Sequence, residues 1–177
     1  MTTPESPYGV PYNVPMSANP DYPQGYPQMY PQGYPPAAGS SGMPVAFGLA
    51  MKGRNPFAVW LLWPLLTLGI YHLVWYFKIH REMAEFDRRR AVPTAGPVLV
   101  LLFLSWTVIA PFVSYYNCGR RIRNAQRSAG LPTSCSGGLG CFLMLIFGAG
   151  VLYYQTELNK IVSAYQVPEG TQIPLWV

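Results

Sequence analysis

Charge is what this chain has least of. Of 177 residues only 11% are Asp, Glu, Lys or Arg, against about 25% in an ordinary soluble domain, and 50% are apolar. So little charge argues against a conventional soluble surface and for a bilayer. No lysine or arginine precedes Lys52, and no apolar h-region precedes it either. The opening segment therefore lacks both parts of a secretory signal peptide. Acidic residues are missing from all three long apolar runs, which removes the carboxylate partner that proton-coupled transport needs. The three cysteines form no C-x-x-C pair, so neither a disulfide framework nor a metal knuckle is expected. Together with His72 and His80 they match no zinc spacing. Ser105, Thr107 and Ser114 have no evident base beside them, so catalysis is not expected. "GSSGM" and "SGGLG" lack the lysine and strand of a phosphate loop. No metal, cofactor or enzymatic activity is expected. Nucleic acid is not an expected partner either, because no aromatic platform accompanies the basic residues.

What is present divides in two. Residues 1–45 form a low-complexity tail rich in Pro, Tyr, Gln and Gly, with Tyr22, Tyr26, Tyr30 and Tyr34 spaced by four and each followed by proline. Repeated proline removes backbone donors and fixes φ, so the tail is expected to be disordered with polyproline-II stretches. It serves either as a solvated spacer or as a multivalent surface for a protein partner.

Residues 46–177 are expected to form an all-α membrane domain. Three runs, 56–77, 97–116 and 137–154, carry no formal charge. The first two are each about as long as a helix crossing roughly 30 Å of hydrocarbon, and the third is shorter. Each ends in an aromatic pair (Tyr76-Phe77, Tyr115-Tyr116, Tyr153-Tyr154), as expected where a helix leaves a bilayer. Three transmembrane helices in a multi-pass cell-membrane protein follow. Beyond each pair the chain turns amphipathic: Ile79, Met83 and Phe86 share one helical face, as do Leu158, Ile161, Val162 and Tyr165. These extensions are expected to lie in the interface, apolar side toward lipid, and Leu175-Trp176-Val177 to dip back into it.

Topology has two solutions. With three full spans the basic residues divide six against six (Lys52, Arg54, Arg120, Arg121, Arg123 and Arg127 on the tail side), so positive charge does not choose an orientation. Alternatively, Pro64 and Gly69 break the first run into a re-entrant hairpin. A kinked full span is preferred, because each hairpin arm would be only about ten residues and non-helical backbone at membrane depth must be buried in protein.

The first run also carries a polar stripe. Thr67, Tyr71, Trp75 and Lys78 recur at helical spacing, Gly69 allows close helix approach, and His72 is an ionisable group within an apolar segment. Thr67, Gly69, Tyr71, His72 and Trp75 are therefore the candidate functional or packing residues. "GRRIRNAQR" places Arg120, Arg121, Arg123 and Arg127 beside the second run, a candidate contact for anionic lipid. Small residues early in the third run (Gly137 with Cys141, Ser136 with Gly140) favour packing on another helix or on a second copy, so a homo-oligomer is considered.

"RNPFAVWLLWPLLTLGIYHLVWYFKIHREM" resembles the signature of a bacterial membrane family known only as domain of unknown function 4234. The matching residues are Arg54, Asn55, Pro56, Thr67, Leu68, Gly69, Ile70, Tyr71, Trp75 and Glu82, and "YYQTELNKI" resembles the family's closing helix, with Asn159 its polar residue. The resemblance implies a membrane protein and no particular chemistry. The expected role is a small non-enzymatic anchor or scaffold recruiting partners through the tail; the alternative is a subunit of a channel-like or transport assembly using the polar stripe.

Overall fold

The computed structural model describes residues 44–104, 107 and 109–176; the tail's expected disorder falls almost wholly outside them. Among the described residues there are six α-helices and two short strands. The helices are α1 (Trp63–Leu66), α2 (Ile70–Phe86), α3 (Ala95–Leu104), α4 (Ile109–Ser128), α5 (Gly137–Met144) and α6 (Gly150–Tyr165). The expectation of three transmembrane helices is overturned: among the described residues no helix is long and apolar enough to cross a membrane. Each apolar run instead folds back on itself as a short arm, a turn and a longer returning helix.

The local causes are legible. In the first run the arm 56–66 widens into a π-helical stretch, Ala58–Leu62, directly before Pro64. Proline lacks an N–H and its ring crowds the carbonyl one turn back, so a wider turn there relieves the clash. The helix then stops at Leu68 and Gly69, both left-handed with φ of 49° and 87°. The third run breaks the same way, at Phe147 and Gly148 with φ of 48° and 68°. Glycine adopts this backbone freely; a leucine or phenylalanine does so at a cost of roughly 1–2 kcal/mol.

The returning helices α2, α4 and α6 run parallel. Near their starts His72 bonds the Tyr115 hydroxyl, Tyr76 donates to the Ser114 carbonyl at 3.0 Å, and Trp75 Nε1 donates to Gln155 at 2.8 Å. At their far ends Ser128 donates to Asp87 and the ring of Phe86 meets Tyr165. Parallel packing places all three turns at one end of the bundle. The core between the helices is made by Trp75, Tyr76, Ile79, Met83, Phe86, Cys118, Ile122, Tyr154, Leu158 and Ile161. Thus Ile79, Met83, Phe86, Leu158, Ile161 and Tyr165, expected to face lipid, face one another instead. In each aromatic pair one ring is buried (Tyr76, Tyr115, Tyr154), and its neighbour is at least partly exposed. The small residues of the third run pack within the chain, where Gly119 and Gly137 approach so closely that a Cβ on Gly119 would lie 2.5 Å from Gly137 Cα.

Away from the turns, β1 (Ala46–Leu49) pairs antiparallel with β2 (Gln172–Leu175), Ala46 opposite Leu175. Leu175 is buried in this sheet and the Trp176 amide donates to the Ser128 carbonyl, so these residues cap the bundle rather than re-enter an interface.

Candidate functional site

The turn end of the bundle is its most unusual surface. Leu68 and Phe147, the strained residues at two apexes, are each 94% exposed. Around them Leu65, Leu66, Ile70, Phe103, Ile109, Phe142 and Leu145 are also exposed. Scattered surface leucines need no explanation, but an extended apolar patch marks an interaction surface. Charge is absent here: Lys78 and Glu157 are the first charged residues on the returning helices after Leu68 and Phe147, each about 15 Å of helix rise beyond its apex.

Several backbone polar groups near the apexes are bonded inside the chain. The Thr67 hydroxyl donates to the Trp63 carbonyl at 2.8 Å and accepts from the Tyr71 amide at 2.9 Å. Thr107 repeats this at the second turn, donating to the Leu104 carbonyl at 2.7 Å and accepting from the Ala110 amide. Trp60 Nε1 donates to the Phe147 carbonyl at 2.9 Å, tying the first apex region to the third.

The polar stripe is thereby given structural roles. Thr67 and Gly69 build the turn, Tyr71 stacks on Trp63, His72 meets Tyr115, and Trp75 is buried on Gln155. Of the four arginines, Arg120, Arg123 and Arg127 are exposed and Arg121 is half-buried. Arg123 Nε donates to the Cys135 carbonyl at 2.8 Å.

Several polar groups that the sequence did not single out hold the opposite half together. Gln126 and Lys160 donate to the buried Glu157 at 2.7 and 2.6 Å, and Ser134 joins them. Burial pushes the Glu157 carboxyl up, but the bonds from Lys160, Ser134 and Gln126 outweigh it and leave it below its ordinary value. Asp87 behaves alike: burial is outweighed by the Arg89 and Ser128 hydrogen bonds and the Arg89 charge. Cys135 is pushed up to about 12, chiefly by burial, and Cys118 higher still for the same reason, so neither is a reactive thiolate. No cluster of three or more His, Cys, Asp or Glu able to hold a metal occurs among the described residues.

The residues that carry the sequence resemblance gain a physical account here. Arg54 forks onto Glu82. The Arg54 amide donates to Asn159 Oδ1 at 3.2 Å, and Asn159 Nδ2 donates back to the Arg54 carbonyl at 2.6 Å. The Asn55 side chain accepts from the Phe57 and Ala58 amides, capping the first arm before Pro56. Gln155 joins this network to Trp75, donating to Asn159 at 2.9 Å. Together these bonds form a clasp fastening the start of the first hairpin to α2 and α6.

The fold therefore defines a class: a bundle of three helical hairpins with an apolar apex end and a polar, clasped end. Residues 55–124, most of the first two hairpins, match the family model described as Domain of unknown function (DUF4234), as the first-run residues led one to expect. No curated protein and no solved structure matches the chain.

Proposed function

We propose that this protein is a non-enzymatic scaffold seated on the cell membrane from one side, its three hairpins dipping into a single leaflet. The carrying observation is the exposure of Leu68 and Phe147 at strained apexes of an uncharged bundle end. About 15 Å of charge-free helix matches half of a roughly 30 Å hydrocarbon core. The bonds that Thr67, Thr107 and Trp60 make to backbone groups near the apexes accord with the need for backbone polar groups in lipid to be satisfied by protein. The clasped end, with the sheet and the attachment of residues 1–45, stays in water beside the headgroups, where the tyrosine-proline tail reaches soluble partners. The transport alternative has less support, since the stripe residues Thr67, His72 and Trp75 are occupied by bonds within the chain.

Topology tests this directly. Arg88→Cys and Thr133→Cys place labels on the exposed loops after α2 and α4. A Cys141→Ser background suffices, because Cys118 and Cys135 are buried. In a membrane-impermeant maleimide assay both positions should label from the same side. Labelling from opposite sides would overturn the one-leaflet reading. Crystalline or solution dimers that cover Leu68 and Phe147 in lipid-containing samples would reassign the surface to a second copy.

A further inference from the structure

Beyond the apexes, a cavity of about 110 Å³ lies at the clasped end between the close of α2, the segment after it and α4. Its polar lining is Asp87, Arg90, Arg121 and Asn124. We infer that it is a binding site for a phosphate group, held by Arg121, Arg90 and the Asn124 amide. This deepens the one-leaflet reading, on which only the source of the phosphate depends.

The acid in the cavity is already occupied. Both oxygens of Asp87 accept hydrogen bonds, from the Arg89 backbone and guanidinium, from Arg90 Nε at 3.2 Å and from Ser128 at 2.7 Å. Arg121 differs. None of the ion pairs among the described residues includes it, and its Nη1 is buried without a hydrogen-bond partner. A guanidinium with an unmet nitrogen and no ion pair is costly, and the same residue lines a cavity larger than one water requires, where an anionic oxygen would meet its charge. The nearby His80 donates through Nδ1–H to the Tyr76 carbonyl at 2.8 Å, so the neutral ring's Nε2 is an acceptor, itself buried without a hydrogen-bond partner. An arginine fork recognises phosphate oxygens in pairs. Arg121 lies about 18 Å of helix rise beyond Ile109, which with the apexes in one leaflet is headgroup depth.

Two arms separate the site from the source of its ligand. In the first, the full chain in a zwitterionic detergent is titrated with inorganic phosphate against chloride at equal ionic strength, reading the thermal unfolding midpoint. The midpoint should rise for the parent and not for Arg121→Gln or Asn124→Asp, while Arg127→Gln, an equal change of charge away from the cavity, should keep the rise. In the second, binding to phosphatidylcholine vesicles with and without phosphatidylglycerol is compared. Preference for phosphatidylglycerol should fall roughly tenfold in Arg121→Gln, less in Arg127→Gln, with binding to pure phosphatidylcholine unchanged. A midpoint rise without the vesicle effect supports the site with free phosphate as its ligand. If phosphate does not move the midpoint, or Arg121→Gln and Arg127→Gln behave alike in both arms, the site is overturned. Loss of phosphatidylcholine binding by the parent sinks the leaflet reading and leaves the first arm standing.

Discussion

The two ends of this bundle follow opposite rules. At the clasped end large side chains are buried and polar ones are paired: Phe86 and Ile122 are fully enclosed, and Asp87, Gln126 and Glu157 each hold several partners. At the apex end, leucine and phenylalanine stand exposed on strained backbone, and the polar groups are turned inward. A folding core explains the first end and cannot explain the second. The exposed apolar apex is what supports the proposed seat in a leaflet, whose depth its uncharged zone matches.

The sharpest way to break this contrast is to charge the apexes. Leu68→Glu with Phe147→Glu removes two apolar side chains worth about 1.5–3 kcal/mol each on burial. Vesicle partitioning should weaken at least a hundredfold, while the denaturation midpoint in detergent shifts by the equivalent of under about 0.5 kcal/mol. A large loss of stability would mean that the apexes belong to the folding core after all. At the other end the effects exchange places: Trp75→Ala, which also frees Gln155, should cost about 3–5 kcal/mol in unfolding free energy. Arg54→Ala, which strands the Glu82 carboxylate while leaving the backbone bonds to Asn159 in place, should cost about 3 kcal/mol.

Acid should act on the clasped end. Burial depresses His80 from 6.5 to about 4, with the Arg121 charge a smaller push the same way and the bond to Tyr76 opposing. A depressed folded pKa means that the unfolded chain binds the extra proton first. Stability is therefore complete above about pH 6.5 and falls as pH drops toward 4, by on the order of 3 kcal/mol. Asp87 and Glu157, both held below their ordinary values, lose their contribution only at lower pH. Denaturation midpoints at pH 7, 5.5 and 4.5 should show a steeper fall for the parent than for His80→Gln. Parallel curves would show that His80 titrates normally.

How much of this the sequence discloses follows from range. The apolar runs, the faces of α2 and α6 and the family signature depend on nearby residues, and all are legible. The hairpins are legible only as the second choice for the first run, where Pro64 and Gly69 suggest a break: a run of about twenty apolar residues satisfies one full span and two half-spans equally well, and hydropathy has no term for direction. The local signal is Leu-Gly and Phe-Gly in mid-run, and only the first has a proline, Pro64, close before it. The clasp and the Glu157 and Asp87 networks join residues up to 105 positions apart, so no local pattern announces them. The cavity arginine illustrates the same limit, since "GRRIRNAQR" does not tell which of its four arginines turns inward.

The smallest effect separates the two ends most cleanly because its signs oppose. Leu68→Gly and Phe147→Gly each relieve a left-handed backbone costing about 1–2 kcal/mol, while glycine loosens the unfolded chain by about 0.4–1 kcal/mol. A net gain of about 0.5 kcal/mol per site is expected in detergent, since neither side chain is packed. The same substitutions remove the apolar groups that reach deepest, so vesicle binding should weaken by at least tenfold each. Strain that is relieved without any loss of binding would show the apex residues to be incidental. A gain in stability with a loss of binding would show that leucine and phenylalanine stand in strained positions because of what surrounds them.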